Sequence, residues 1–315
     1  MTRMRTCRTT AVIVTYNAHA YISAALDETG RARDERLLET IVVDNASADG
    51  TAALVRERYP WVRIIESGAN LGYGRGCNAG LAAVETPYVL FLNPDAVLPT
   101  ASLRTLITFL DEHPRAAVAA PATKVYGGAA LQFAGGLPTP ANILLAAALR
   151  SQPSSRRVIQ PGTPPFQTDW LAGGILLARC EAIRGLGGFD PRFFLYFEET
   201  DLCKRAIESG HELWAVGAAT ASHAGAQAAK STGRRLYHAT IAEHYFRSRF
   251  YYLVKHFGWA AAIGTDMLEI AILALRSLAK KLLGRSGADL SERLSGPVMR
   301  LPTFPKAAAP SSKPR

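Results

Sequence analysis

The sequence predicts a mixed α/β fold with a Rossmann-like, mostly parallel central sheet flanked by helices. Three observations favour it: short uncharged runs alternate with helix-length segments, turn residues separate them, and several runs end in a polar or acidic residue. The clearest run is Tyr88-Val-Leu-Phe-Leu92, which suits a strand buried on both faces of a parallel sheet. It must end at Asn93-Pro94-Asp95, because proline cannot continue a central ladder.

Asp95 follows this buried strand directly. Ligands of open α/β sheets bind outside the carboxyl ends of the strands, so a carboxylate at this position is a candidate ligand contact. An ordinary turn aspartate after a proline explains the same pattern. The stretch alone leaves both interpretations open.

Three strand-helix units precede that strand. The predicted strands cover 11–14, 40–43 and 61–65, and the second ends in Asp44. Helices are predicted through Tyr21–Leu26 and Ala52–Arg58, and a glycine-rich loop at 68–80 runs into a third. The glycines lie after a later strand and lack the spacing of a dinucleotide fingerprint, and no GxxxxGK[ST] loop is present. Nicotinamide binding and P-loop chemistry are therefore not expected.

Composition narrows the class of protein. The 315 residues are 48% hydrophobic and 20% charged, which is typical of a folded chain, and the net charge of +10 implies acidic partners. The basic residues concentrate near both termini, and no nucleic-acid-binding module is recognisable, so nucleic acid is not expected as a partner. Four scattered cysteines argue against a zinc site or a disulfide framework and fit a reducing cytosol. No signal peptide is predicted.

The second half is less regular. Residues 133–166 are predicted to be a long surface excursion, residues 170–178 a strand, and residues 210–216 the last strand. His223 follows that last strand. A lone histidine in such a position is more often structural than a ligand, and it becomes a functional candidate only if it faces Asp95.

A helix is predicted from Glu198 to about Gly210. Its periodicity places Glu198, Asp201 and Arg205 on one face, where they would form ordinary helix ion pairs. Glu199 falls on the apolar, inward face. Compensation of the positive helix N-terminus explains such a carboxylate, and so does a general base.

Two further helices are predicted beyond residue 240, the second over 259–283. Its pattern is amphipathic, with Leu268, Leu275 and Leu278 on one side and Asp266 and Glu269 on the other. These charges are predicted to prevent it from spanning a membrane, which leaves packing on the domain or lying on a membrane surface. A disordered basic tail is predicted for 284–315.

Five motifs in this order identify a family resemblance. They are Val14-Thr-Tyr-Asn17, Val43-Asp-Asn-Ala-Ser-Ala-Asp-Gly-Thr51, Asn70-Leu-Gly-Tyr-Gly-Arg-Gly-Cys-Asn78, Asn93-Pro-Asp95 and Phe194-Leu-Tyr-Phe-Glu-Glu-Thr-Asp-Leu-Cys203. The chain resembles the family-two inverting glycosyltransferases of the GT-A fold over about residues 10–257, and most closely the bacterial rhamnosyltransferases. The resemblance implies a nucleotide-sugar half (10–98) and an acceptor half (99–257) of one domain. Charge, periodicity and composition add a basic lead (1–9), the amphipathic helix (258–283) and the tail (284–315).

The resemblance also implies residue roles. Asp95 and His223 would hold Mg²⁺ or Mn²⁺, although Asn93 replaces the first aspartate of the family's DxD motif. Glu199 would be the general base, in a Glu-Glu pair where the family usually has Glu-Asp, with Glu198 and Asp201 as the other acidic candidates. The nucleotide-sugar site would include Thr15, Tyr16, Asn17, Asp44, Asn70, Gly72, Arg75, Asn78 and Asn93. The acceptor site would include Trp170, Gly173 and Gly174.

The resemblance predicts transfer of a sugar, best matched by L-rhamnose from dTDP-rhamnose, to a glycan or polyprenyl-linked acceptor in cell-surface polysaccharide synthesis. Use of UDP-galactofuranose, UDP-glucose or UDP-N-acetylglucosamine is the nearest alternative. A non-catalytic nucleotide-sugar-binding protein is an alternative of another class. The expected location is the cytoplasm, with peripheral contact at the inner face of the membrane.

Overall fold

The computed structural model describes residues 7–301, apart from 126–127, 132, 150–155, 224–233, 284–288 and 295. The strands are β1 Thr9–Thr15, β2 Leu38–Asp44, β3 Arg63–Glu66, β4 Tyr88–Leu92, β5 Ala96–Val97, β6 Ala116–Val125, β7 Gly128–Leu131, β8 Phe133–Gly135, β9 Arg157–Val158, β10 Phe166–Thr168, β11 Trp170–Leu171, β12 Ile175–Arg179 and β13 Glu212–His223. The helices are α1 Ile22–Asp34, α2 Thr51–Arg58, α3 Tyr73–Ala82, α4 Thr100–Glu112, α5 Pro140–Leu149, α6 Cys180–Gly185, α7 Glu198–Glu208, α8 Arg234–Leu282 and α9 Asp289–Leu294.

The central sheet has the strand order β10-β13-β6-β12-β4-β1-β2-β3, with β5 beside β13 and β7 beside β6. Strands β4, β1, β2 and β3 pair in parallel, and so do β6 and β13, while β12 runs antiparallel between β4 and β6. The predicted mostly parallel α/β sheet is confirmed. Because β1, β2 and β4 are parallel neighbours, their carboxyl ends lie along one edge.

Strand β4 forms the centre of the core, as its uncharged sequence predicts. Leu90 and Leu92 pack into the hydrophobic cluster on one face of the sheet, and Val89 and Phe91 pack into the cluster on the other. Burial on both faces explains why the run contains no polar residue.

The glycines of α3 allow this helix to pack closely on the sheet. A Cβ atom at Gly76 would lie 2.6 Å from Val14 Cγ1, and one at Gly80 would lie 2.4 Å from Val12 Cγ1. These two glycines therefore serve helix-strand contact with β1 rather than a phosphate cradle.

The predicted surface excursion at 133–166 is wrong in part. Strands β8 and β9 pair within it, and β11 joins them in a small separate sheet. Helix α5 also lies there, and its start has a reciprocal cap: Thr139 Oγ1 accepts from the Asn142 amide, and Asn142 Oδ1 accepts from the Thr139 amide. Residues 150–155 lie outside the described residues.

Two strand predictions need correction at their boundaries. The run 170–178 is two strands rather than one, because the chain turns at Gly173 and Gly174 and passes from the small sheet (β11) into the main sheet (β12). The last strand does not end at Val216. It continues as β13 to His223, with a register shift between Val216 and Thr220.

Helix α8 is broken at Gly258, whose φ of 84° lies outside the helical region. In its second half, Asp266 and Glu269 point inward and are 1% and 8% exposed, while Leu275 is 68% exposed. The amphipathic pattern is confirmed. Unlike an ordinary surface helix, however, this helix turns its charged side toward the protein and its leucines toward the outside. Within the described residues, Ala242–Leu282 is also long and apolar enough to cross a membrane by length and composition, contrary to the expectation from its charges.

The predicted disordered tail is wrong over α9. Arg293 is 3% exposed and forms ion pairs with Glu269 and Asp266 of α8. Burial of a charge requires a partner, and these two carboxylates provide it. At the other end of the chain, Thr9 already belongs to β1, so the predicted basic lead is shorter than nine residues. Residues 1–6 and 302–315 lie outside the described residues.

Candidate active site

The carboxyl end of β4 carries an Asp-His pair. The short strand β5 follows Asp95 at once and pairs with β13, which places Ala96 opposite His223. Asp95 Oδ1 consequently lies 2.8 Å from His223 Nε2, and Asn93 Nδ2 lies 3.3 Å from the same nitrogen. His223 therefore faces Asp95, the condition on which its functional interpretation depended.

This pair offers ligands for a divalent cation. Asp95 supplies a carboxylate oxygen and His223 an imidazole nitrogen, both of which bind such ions in proteins. Two ligand atoms at right angles around Mg²⁺ lie about 3 Å apart, close to the separation of this pair. In the described part of the chain, no group of three or more His, Cys, Asp or Glu side chains gathers as a metal site. The donor set fits a cation that takes its remaining ligands from a diphosphate and water.

Gly173 and Gly174 connect this pair to α7. A Cβ at Gly173 would lie 3.4 Å from Glu199 Cγ, and one at Gly174 would lie 3.4 Å from Asn93 Nδ2 and 3.8 Å from His223 Cε1. Gly174 also has φ of 129°, which disfavours any residue with a side chain. Adjacent Cα atoms are about 3.8 Å apart, so Glu199 and the Asn93–His223 pair flank one short backbone segment.

The chain enters α7 through strained backbone. Tyr196 and Phe197 have φ of 66° and 67°, a conformation that bulky residues rarely adopt. Two such residues in succession indicate that the surrounding packing holds this turn against its local preference. This backbone places Glu198 and Glu199, in the first turn of α7, at a cavity that Asn93, Gly173 and Gly174 also line; it is called the main cavity below.

The two glutamates have different surroundings. Glu198 is 5% exposed, and its Oε2 atom has no hydrogen-bond partner among the described residues, so the predicted helix ion pair of Glu198 is wrong. Burial, reinforced by the charge of Glu199, raises the pKa of Glu198 well above the usual value. Burial also raises the pKa of Glu199, while backbone amides of α7 and Gly173 and the Arg156 guanidinium limit the rise. Glu199 is thus the carboxylate that retains stabilising contacts when ionised.

Asp201 lies outside the cavity lining and is fully buried. Its Oδ2 accepts from Arg205 Nε at 2.7 Å, as predicted for the helix ion pair, and its Oδ1 accepts from His256 Nε2 at 2.8 Å and pairs with Lys255 Nζ at 2.5 Å. These contacts fix α7 against α8. The geometry therefore gives Asp201 a positioning role and does not favour its candidacy as a base.

Asp44 ends β2 beside the end of β1. Its Oδ1 accepts from Thr15 Oγ1 at 3.0 Å, its Oδ2 accepts from the Ser47 amide at 3.0 Å, and it is 3% exposed. Thr15 is completely buried, so it supports Asp44 rather than lining a pocket, whereas Tyr16 is 46% exposed. Asn17 joins the loops that follow β1 and β2. Its backbone amide donates to Ser47 Oγ, and its Oδ1 accepts from the Ala48 amide.

The glycine-rich loop is tied to the loop before α7. Asn78 donates to the Phe189 carbonyl at 2.7 Å and accepts from the Phe189 amide at 2.8 Å, and Arg75 Nε donates to the Pro191 carbonyl at 2.8 Å. Asn70 Oδ1 accepts from the Gly72 amide and closes the turn at 3.1 Å. These hydrogen bonds fix the shape of the loop, and the three side chains lie outside the lining of the main cavity, so their predicted contact with the nucleotide sugar stays a prediction.

The main cavity has a volume of about 670 Å³. Six of the predicted site residues line it, namely Asn93, Trp170, Gly173, Gly174, Glu198 and Glu199. Trp170 is held by a hydrogen bond from Nε1 to Thr200 Oγ1 at 3.0 Å. The lining residues missed from sequence include Ile143, Ala146 and Ala147 of α5 and Tyr245 and Arg249 of α8. A capping box at Thr139 before an Ala- and Leu-rich run is the signal that predicts α5.

A mostly parallel α/β sheet with acidic residues at its strand ends, and a cavity lined by the first turn of a carboxylate-bearing helix, are features of the GT-A fold. Residues 10–155 match the Glycosyl transferase family 2 domain. The N-acetylglucosaminyl-diphospho-decaprenol L-rhamnosyltransferase of Mycobacterium tuberculosis is 30% identical over 300 residues, which cover 90% of this chain and 94% of the relative. The chain belongs to glycosyl transferase family 2.

Two further comparisons agree with the family and the fold. Rhamnosyltransferase WbbL of Escherichia coli is 26% identical over 227 residues, covering 67% of this chain and 81% of the relative. The mannosyltransferase PcManGT from Pyrobaculum calidifontis, solved with GDP-Man and Mn²⁺, is 18% identical and superposes with a TM-score of 0.56. The match covers 93% of this chain and 79% of the mannosyltransferase chain. The structural likeness supports the fold alone.

Proposed function

We propose that this chain is an inverting, metal-dependent glycosyltransferase that transfers L-rhamnose from dTDP-rhamnose to a polyprenyl-linked glycan. The observation that carries the reaction type is the placement of Glu199 and the Asn93–Asp95–His223 group on either side of Gly173-Gly174. One side offers a carboxylate to an acceptor hydroxyl, and the other offers a site for a leaving diphosphate. Inversion by a single displacement requires these two groups to act on opposite sides of one sugar.

The proposed reaction uses both groups. A hydroxyl oxygen of the acceptor bonds to the anomeric carbon while the bond between that carbon and the diphosphate oxygen breaks. Glu199 takes the hydroxyl proton, and the nucleoside diphosphate leaves with the bonding electrons. Asp95 and His223 would hold Mg²⁺ or Mn²⁺, which would stabilise the charge that develops on the diphosphate. Asp44, with Tyr16 and Asn17 nearby, is the proposed partner of the nucleotide base.

The donor and acceptor are proposed from the relatives and the cavity. The M. tuberculosis relative is named for L-rhamnose transfer to an N-acetylglucosaminyl-diphospho-decaprenol. In this chain, apolar residues of α5 (Ile143, Ala146 and Ala147) form part of the cavity wall, which suits an acceptor with a lipid portion. We place the enzyme in the cytoplasm, at the inner face of the membrane where such an acceptor is accessible.

A donor panel tests this proposal. The full chain is incubated with dTDP-rhamnose and with UDP-galactofuranose, UDP-glucose and UDP-N-acetylglucosamine, together with a polyprenyl-diphospho-sugar acceptor and Mg²⁺ or Mn²⁺. Product formation from dTDP-rhamnose alone, lost with chelator, is the expected result. Transfer from a UDP-sugar alone would keep the reaction and correct the donor.

Saturable nucleotide binding without product from any donor would contradict the proposal. It would favour the alternative of a non-catalytic binding protein, which Asn93 and the Glu198-Glu199 pair motivate. Two variants separate the two functions. Glu199→Gln should abolish transfer by an enzyme but leave the nucleotide affinity of a binding protein unchanged, and Asp95→Ala should remove metal-dependent transfer.

A further inference from the structure

The second half of α8 presents an apolar surface to the outside. The exposed side chains of this surface are Trp259, Ile263, Met267, Leu268, Leu275, Leu278 and Leu282. Helix α5 packs beside α8, where the Arg276 guanidinium donates to the Ala147 carbonyl, and adds Leu145 and Leu149, which are 50% and 64% exposed. Monomeric soluble proteins rarely expose so many large apolar side chains on one surface, so an interaction partner is expected.

The opposite side of the same helix explains why the leucines point outward. Arg249 donates to Glu269 Oε1 and Asp266 Oδ1, each at 2.8 Å, and Arg293 Nε donates to Glu269 Oε2 at 2.8 Å. These four charged side chains hold the polar side of α8 against the protein. The helix cannot rotate to bury its leucines without exposing this paired cluster.

Charge indicates which partner fits the surface. No acidic residue occurs between Glu269 and Leu283, whereas Arg276, Lys280 and Lys281 lie in the last turns of α8. The chain has a net charge of +10, so two copies repel each other and an anionic surface attracts both. A lipid bilayer with anionic headgroups offers apolar depth for the leucines and negative charge for the lysines.

The orientation follows from the packing. Within the described residues, one side of α8 is exposed, because its other side contacts α5, α9 and the buried ion pairs. A helix surrounded by lipid would place these charges in hydrocarbon. The break at Gly258 separates residues 259–282 from the first half, and this segment is about 36 Å long, enough to lie along a membrane surface.

We propose that the outward side of residues 259–283, together with Leu145 and Leu149, docks on the surface of an anionic lipid bilayer. The docking itself does not depend on the proposed function. Its purpose rests on that function: α5 and α8 also line the main cavity, so docking brings the cavity wall next to the membrane that contains the acceptor lipid.

The test is flotation of the full chain with vesicles of phosphatidylcholine alone or mixed with phosphatidylglycerol. The wild type is expected to float with the anionic vesicles, less with the neutral ones, and to be released by high salt or alkaline carbonate. The double variant Leu275→Glu with Leu278→Glu is expected to lose binding about tenfold or more, since two apolar insertions are removed. Circular dichroism and a melting curve check its fold.

The matched control is Ala53→Glu with Ala101→Glu, which adds the same charge at exposed positions of α2 and α4 and should float like the wild type. Equal flotation of the leucine variant and the wild type, or no binding to either vesicle, would overturn the proposal. Resistance to carbonate would indicate a spanning helix instead. A dimer that the leucine variant dissociates, without vesicle binding, would assign the surface to a second copy.

Transfer assays separate this inference from the proposed function. The leucine variant should lose transfer to a bilayer-embedded acceptor far more than transfer to a short-chain soluble acceptor. If the wild type floats but transfers no sugar to either acceptor, the proposed function fails and the docking surface stands.

Discussion

At the scale of single residues, the site contains two adjacent glutamates whose carboxylates have different surroundings. Glu198 has a buried carboxylate oxygen that no described residue hydrogen-bonds, while backbone amides and the charge of Arg156 limit the rise that burial causes in the pKa of Glu199. The sequence identified the pair and, through helical periodicity, favoured Glu199. It could not show that Glu198 is buried, because that depends on the left-handed turn at Tyr196 and Phe197, which no propensity predicts.

Replacing Glu198 with glutamine should stabilise the protein increasingly as the pH rises. A carboxyl whose folded pKa is raised adds stability below its unfolded pKa of about 4.3 and loses it as the pH rises through the folded pKa. The gain of Glu198→Gln over the wild type should therefore grow by about 1.4 kcal/mol per pH unit within that window. Urea denaturation at several pH values measures it, with Glu208→Gln on the exposed side of α7 as the control.

The raised pKa of Glu199 should also appear in the kinetics. A general base must be ionised, so kcat/KM should fall on the acid side at a pH above the ordinary glutamate pKa, because burial raises the pKa of Glu199. Arg156→Ala should move this acid limb to higher pH, since the arginine charge lowers the pKa. Arg156→Lys, which retains the charge, is the control. An unchanged limb in Arg156→Ala would contradict the assignment.

At the scale of elements, the backbone of the glycine-rich loop is set by the segment before α7. Gly72 has φ of 85°, and a Cβ there would lie 2.3 Å from the Phe194 carbonyl oxygen. Gly68 has a similar φ of 71° but open space around it. The sequence located this loop and its glycines, but it could not show which glycine faces another segment.

This pair of glycines gives a matched test. Gly72→Ala must move the Phe194 backbone, whereas Gly68→Ala meets no neighbouring atom. Because both variants share the cost of a positive φ, Gly72→Ala should lower the free energy of unfolding by about 1–3 kcal/mol more than Gly68→Ala does. Thermal or urea denaturation of the two variants gives the difference. Equal losses would show that the loop adapts without strain.

The charged cluster between α8 and α9 gives a second test at this scale. Arg293→Met leaves Arg249 as the one cationic partner of Asp266 and Glu269 among the described residues, and breaking a buried pair typically costs about 3–5 kcal/mol. Lys281→Met removes the same charge at an exposed position of α8 and should change the stability little. Similar stability of both variants would mean that α9 does not hold α8 in place.

At the scale of the whole molecule, the α/β architecture and the order of the motifs were predictable because strand burial and turn chemistry are local properties. The strand-end carboxylates, His223 and Glu199 follow from that architecture. The cavity wall from α5 and the inverted orientation of α8 were not predictable. Both depend on contacts distant in sequence, such as that between Arg293 and Glu269, so periodicity gave the two sides of α8 but not which side is buried.

The proposed function depends most on the assignment of Glu199 as the base of a sugar transfer at this cavity. The most direct measurement compares the kcat of Glu199→Gln with that of Glu198→Gln, using the donor and acceptor that the panel identifies, alongside nucleotide binding by both variants. We predict a loss of about 10²-fold or more for Glu199→Gln with nucleotide binding unchanged, and a much smaller loss for Glu198→Gln. Wild-type turnover in Glu199→Gln, or a greater loss in Glu198→Gln, would contradict it.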